Sequence, residues 1–172
     1  METASREFDA QPMIMTSPAR FAELYERHYS MVYYAALRIT GNPADAEDVL
    51  QTVFLRVFSQ SNHLDPAQLP GAYFRRAAAN AAVDLLRRRV SHAESPFDEA
   101  SPPAVIESQA LLKERLRRAI AALEQSDAVV FLLRYVEGVS NAELAEMFGQ
   151  EKNNIAVRLH RIRQALQTHL ER

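Results

Sequence analysis

The sequence predicts an all-α protein: two small helical domains joined by a flexible linker. Three observations predict it. Turn-forming residues are sparse, with four Gly and eight Pro in 172 residues, and the stretches between them are too long for strands. Within those stretches apolar residues recur every three to four positions. One internal stretch breaks the pattern: it carries Pro96, Pro102 and Pro103, and from 91 to 110 its charges are Glu94, Asp98, Glu99 and Glu107, with no Lys or Arg. An acidic, proline-bearing segment of this kind reads as an interdomain linker. The expected organisation is a loose N-terminal tail over 1–16, a first domain over 17–90, a linker over 91–108 and a second domain over 109–172.

The elements follow in order. Ser17-Pro18 reads as an N-cap with proline in the first helical position, and Phe21, Leu24, Tyr25, Val32, Ala36 and Ile39 carry a helical stripe to Gly41. Asn42-Pro43 repeats the start signal, and Asp45, Glu47 and Asp48 suit the positive end of a second helix. Its stripe is Ala46, Val49, Leu50, Val53, Phe54 and Val57. Ser59 to Pro70 is polar and aperiodic, hence a loop. Ala72 to Arg89 is a third helix, with Phe74, Ala77, Ala78, Ala81 and Leu85 on one side; its alanines favour helix and allow close packing. In the second domain Leu111, Leu112, Leu116, Ile120 and Leu123 form one stripe. Ser126 is placed to cap the next helix, which runs through Val129, Val130, Leu133 and Val136 towards Gly138. Ser140 with Glu143 forms a capping box for a short helix ending at Gly149. A final helix from about Lys152 to Leu170 carries Ile155, Leu159, Ile162, Leu166 and Leu170 on one face.

Composition narrows the chemistry. Apolar residues at 48% and charged residues at 24% support a buried core, and a formal net charge of -2 excludes a uniformly basic coat while permitting a basic stripe. The absence of Cys excludes disulfides and thiolate metal sites. The isolated glycines form no phosphate-cradling loop. No apolar run reaches the ~20 residues of a membrane span and the first fifteen residues do not resemble a secretory signal, so a cytoplasmic protein is expected. His28, His63, His92, His160 and His169 are not at metal-ligand spacing, and no nucleophile, base and orienting group come together. The expectation is a protein without catalytic residues, metal, cofactor or small-molecule substrate.

Two basic elements remain. The last two helices, one short and one long, joined by a tight turn, form a helix-turn-helix pattern. Ala145 leaves room for the helix crossing, and Gly149 supplies a turn residue with positive φ. On the long helix Asn154, Val157, Arg158 and Arg161 group away from the apolar stripe, where side chains can reach base edges and phosphates. A solvated basic face is the simpler alternative. The third helix carries Arg75, Arg76, Arg87, Arg88 and Arg89 against Asp84, with Tyr73 and Phe74 at its start. Aromatic and arginine side chains together suit single-stranded nucleic acid. Core packing of the aromatics and charge-capping of the helix end account for the same residues.

The order of these elements resembles the extracytoplasmic-function sigma factors, the small two-domain members of the sigma-70 family of bacterial RNA polymerase. Three stretches carry the resemblance: Ala46-Glu47-Asp48-Val49-Leu50-Gln51-Thr52-Val53-Phe54-Leu55-Arg56; Ala72-Tyr73-Phe74 through Asn80 and Asp84 to Arg87-Arg88-Arg89; and Phe131 through Ser140 and Glu143-Leu144-Ala145-Glu146 to Arg158-Leu159-His160-Arg161. The resemblance implies a first domain, region 2, that docks on the β′ clamp helices of core RNA polymerase through Asp48, Gln51, Phe54 and Arg56. It implies that the same domain melts and captures the −10 element through Tyr73, Arg75, Arg76, Asn80, Arg87, Arg88 and Arg89. It implies a second domain, region 4, that sits on the β flap and reads the −35 element of promoter DNA through Lys152, Asn153, Asn154, Val157, Arg158 and Arg161. An anti-sigma factor is a further partner the resemblance allows.

The chain departs from the family pattern at Tyr73, where Trp is usual, at Ala79, where Arg is common, and at Leu123-Glu124, where Leu-Pro is usual. It also departs at Gln150-Glu151 and Asn153-Asn154 in the turn, and at Ala156. Asparagine reads adenine edges, so an A-containing −35 sequence is expected, and Asn153 and Asn154 are expected to start the helix. The rival reading is a stand-alone helix-turn-helix regulator that dimerises through its first half; the Asp48, Gln51 and Phe54 stretch argues against it. A sigma mimic that titrates an inhibitor would not need the arginine run.

Overall fold

The computed structural model describes residues 18–60, 69–93 and 109–171. They form seven α-helices and, among the described residues, no strand. The helices are α1 (Pro18–Thr40), α2 (Pro43–Gln60), α3 (Gly71–Ala93), α4 (Gln109–Ala122), α5 (Gln125–Tyr135), α6 (Asn141–Phe148) and α7 (Lys152–Leu170). The expected Ser17 cap, the tail over 1–16, residues 61–68 of the expected loop and residues 94–108 of the expected linker lie outside the described residues. Among the described residues no helix is long and apolar enough to cross a membrane.

The first domain is α1, α2 and α3 packed on one another. Asn42 starts α2 as the spacing predicted: its Oδ1 accepts the Ala44 N–H at 2.9 Å. All six residues of the α2 stripe, from Ala46 to Val57, are buried. His28, outside the α1 stripe predicted from sequence, is also buried, stacked on Phe74 with ring centroids 4.0 Å apart. Helix α3 runs past Arg89 to Ala93, because half-buried Val90 still packs and no breaker intervenes before Pro96.

The second domain joins α4 to α7, with α7 packed on α4, α5 and α6. The α4 stripe is shorter than predicted. Ala119, Ile120 and Leu123 are buried, whereas Leu111, Leu112 and Leu116 are exposed. The cap of α5 also differs from the prediction. Glu124, not Ser126, is the N-cap, and its carboxylate accepts the N–H groups of Ser126 and Asp127 at 2.8 and 3.2 Å. At the α6 start the capping box of Ser140 and Glu143 is complete, and these hydrogen bonds hold the Glu143 carboxyl below its ordinary value. Gly149 closes α6 at φ +60, donating to the carbonyls of Ala145 and Glu146; the left-handed geometry is the reason for glycine.

Candidate nucleic-acid interface

Helix α7 follows α6 after a turn of three residues, Gly149 to Glu151. Its buried edge, Ile155, Leu159, Ile162 and Leu166, fixes the rotation of the helix and therefore which side chains face outward. Lys152, Asn153, Asn154, Val157 and Arg161 are all exposed. Asn154, Val157 and Arg161 lie together on one side of the helix and, with Gln150, Asp127 and Arg158, line a groove of about 450 Å³; Lys152 projects from the helix start, nearly half a turn from Asn154. Asn153 and Asn154 lie within the first turn and do not cap it. The N-cap is Glu151, and it makes no side-chain cap bond.

Arg158 lines the same groove but, unlike these residues, is engaged within the protein. Its side chain is only 19% exposed. Nε donates to Asp127 Oδ1 at 2.7 Å and Nη2 to Ser126 Oγ at 2.6 Å. Both partners lie at the start of α5, so Arg158 ties α7 to α5 and its guanidinium is held rather than free.

On α3 the predicted residues divide in the same way. Arg88 and Arg89 are exposed, while Tyr73, Arg75, Asn80 and Arg87 are half-buried. Arg89 pairs with the buried Asp45 carboxylate of α2, so it anchors the domain as well as charging its surface. Arg76 donates to the Met147 carbonyl at 2.8 Å and lies over the Phe148 ring, 4.4 Å from its centroid. Arg87 donates through Nε to the Ala121 carbonyl at 3.1 Å, and through its other nitrogens to Gln125 and the Leu123 carbonyl. Asn80 and Asp84 accept from Gln125 Nε2. These last contacts all come from the second domain. Sequence periodicity carries no signal for them, because the partners lie more than thirty positions away in the chain.

A third surface lies on α2. Asp48, Gln51 and Arg56 are exposed, and Arg56 donates to Asp84 at 3.2 Å. Phe54 is not part of that surface. It is 3% exposed, its ring 4.7 Å from Tyr25 and 5.9 Å from Phe74, because it belongs to the buried stripe. The exposed apolar side chains on α2 are Leu55 at 67% and Phe58 at 51%. Leu55 was legible in the sequence: it falls seven positions after Asp48 and four after Gln51, on the same helix face.

Two family models match the chain in order. Sigma-70 region 2 matches residues 24–91, and Sigma-70, region 4, matches residues 113–166. The ECF RNA polymerase sigma factor SigE of Mycolicibacterium smegmatis is 28% identical over 177 residues, covering 98% of this chain and 68% of that protein. The ECF RNA polymerase sigma factor SigL of Mycobacterium tuberculosis is 31% identical over 155 residues, covering 86% of this chain and 87% of that protein. The solved structure of CnrH in complex with the cytosolic domain of CnrY has a TM-score of 0.52 and 24% identity, covering 89% of this chain and 88% of that one. At that identity the likeness is one of fold. The paired region models and the 31% identity across most of both chains place this protein in the sigma-70 family, among its extracytoplasmic-function sigma factors.

Proposed function

We propose that the chain directs transcription initiation in the cytoplasm as a specificity subunit of RNA polymerase, with no catalytic residue of its own, and that three of its surfaces divide the work. The carrying observation is the exposed group Asn153, Asn154, Val157 and Arg161 on one side of α7, with Lys152 beside it at the helix start. A helix held by its opposite face and presenting Asn, Arg and an apolar side chain is shaped for the major groove of a −35 element. Arg158 supports this group by fixing the angle between α7 and α5, and contacts phosphate only after release from Asp127.

The face of α3 that carries Tyr73, Arg75, Arg76, Asn80, Arg87 and Arg88 serves the −10 element. An aromatic ring stacks on an unpaired base while guanidinium groups meet the phosphates. Asp48, Gln51, Leu55 and Arg56 form the face for the β′ clamp helices, with Leu55 in the place that the family resemblance assigned to Phe54. The β flap receives the second domain. An anti-sigma factor belongs to the same reading; CnrH is held by the cytosolic domain of CnrY in its solved structure.

The test is run-off transcription with purified bacterial core polymerase on fragmented genomic DNA of the source organism. Discrete transcripts that require the protein and disappear with Arg161→Ala or Asn154→Ala support the reading. Duplex binding by a dimer of the chain alone, with no transcripts, overturns it in favour of a stand-alone regulator.

A further inference from the structure

A guanidinium is a planar fork with two donor edges: Nε with Nη2, and Nη1 with Nη2. In Arg158 the first edge is engaged inside the protein. Nε donates to Asp127 Oδ1 at 2.7 Å and Nη2 to Ser126 Oγ at 2.6 Å. Among the described residues Nη1 donates to nothing. The side chain nonetheless lines the groove shared by Asn154, Val157 and Arg161. The donors left for a ligand in that groove are Nη1 and the second hydrogen of Nη2, an edge that matches two neighbouring acceptors.

The fork is held from both ends. Ser126 and Asp127 stand in the first turn of α5, and the three residues that follow them, Ala128, Val129 and Val130, are 1% exposed or less. Arg158 is followed on α7 by Leu159, 4% exposed on the buried edge of that helix. The guanidinium also lies over the Phe148 ring, 5.6 Å from its centroid. A donor pair fixed in this way gives up little further freedom when it binds.

Charge decides which acceptors suit the open edge. Asp127 lines the same groove with its side chain 36% exposed, and among the described lining residues it is the one carboxylate. Its negative charge offsets that of Arg158 at close range and repels an approaching phosphate. A neutral acceptor pair escapes both effects. O6 and N7 of guanine are such a pair, and a guanidinium meets them with two hydrogen bonds. Arg161 in the same groove has no ion pair among the described residues and keeps its full charge for a phosphate. Arg158 has to leave Asp127 to reach a phosphate, whereas a base edge that enters the groove meets the fork where it stands.

We infer that Asp127 and Ser126 are positioning residues that hold Arg158 as a charge-balanced fork, so that it specifies one G·C pair of the −35 element through the guanine edge. The inference rests on the assignment of α7 to the −35 major groove given above. It adds a guanine to the adenine expected from asparagine, and it makes α5 a determinant of promoter sequence although α5 itself need not touch the base.

The full chain bound to core polymerase is tested on a promoter fragment taken from its own run-off transcripts, with each base pair of the −35 region replaced in turn. The parent is expected to lose about tenfold or more in affinity when one G·C pair is replaced, and Arg158→Ala to abolish that penalty. Asp127→Asn keeps an acceptor for Nε and removes only the charge. It is expected to steepen the dependence of log K on log salt by about one, with the penalties at other base pairs unchanged. Asp127→Ala with Ser126→Ala releases the fork. It is expected to steepen the salt dependence likewise and to cut the G·C penalty to below about threefold. A packing role alone would weaken binding to all the fragments together and leave both the profile and the slope as they are.

A parent with penalties only at A·T pairs, a G·C penalty that survives Arg158→Ala, or a double variant with the parental profile overturns the inference, while Asn154→Ala and Arg161→Ala still weaken binding. An unchanged slope in Asp127→Asn, which retains the tie to α7 and so stands even where Arg158→Ala lowers stability, overturns the charge balance and with it the choice of guanine over phosphate. If no −35 replacement, nor Asn154→Ala or Arg161→Ala, changes binding, the assignment of α7 to the −35 element falls and the inference with it.

Discussion

His28 is a buried imidazole whose neutral form is favoured. Its Nδ1 has no hydrogen-bond partner and its ring lies flat on Phe74. Burial, and then the nearby charge of Arg27, lower its pKa below 6.5. The sign follows from linkage. Below 6.5 the unfolded chain takes up a proton that the folded chain resists, so stability is complete above that value and is lost as the pH falls through the folded pKa. The urea midpoint is expected to be lower at pH 5.5 than at pH 7.5, with a smaller difference in His28→Leu; an identical pH dependence in that variant removes the assignment. Gly149 gives a second residue-scale expectation. Nothing lies within 4 Å of a Cβ at this position, but φ is +60. Gly149→Ala should therefore cost about 1–2 kcal/mol through backbone conformation alone, measured by denaturant unfolding.

At the scale of the element, α2 shows how one residue of register separates core from surface. Phe54 and Leu55 are neighbours in sequence, and the helix turns one inward and the other outward. Phe54→Ala is expected to cost about 3–5 kcal/mol of stability. Leu55→Asp is expected to leave the unfolding midpoint within error while weakening binding to core polymerase at least tenfold in a pull-down titration. If Leu55→Asp binds core normally, the α2 docking face is misassigned. The α2 stripe, the α6 capping box and the glycine at the α6 end were legible because each is set by residues within a turn or two of one another. The exposure of Leu111, Leu112 and Leu116 was not legible, since amphipathic spacing says where a helix can be buried and not how much of it is.

At the scale of the whole molecule, the arginines divide by what holds them. Arg161 is exposed on α7, whereas Arg158, Arg76 and Arg87 are engaged by groups distant in the sequence. Arg161→Ala is expected to reduce the dependence of log K on log salt by about one for a duplex carrying the −35 element, measured with the polymerase-bound protein. Arg158→Ala should in addition lower the stability of the second domain, because it removes the tie between α7 and α5.

The sequence by itself determined the helices, their order, the two-domain plan and the family, because helix periodicity, caps and motif spacing are local properties written in consecutive residues. It also marked Asn154, Val157 and Arg161 as outward on α7, though not that Arg158 beside them is held by α5, since a helix with one buried edge has only one way to turn its other residues. Only the tertiary structure decided that Arg158 is held by α5 and that Arg76 and Arg87 of α3 are held by the second domain. Those outcomes depend on which groups arrive from far along the chain. A guanidinium is the same letter whether it faces solvent, a carbonyl or a phosphate.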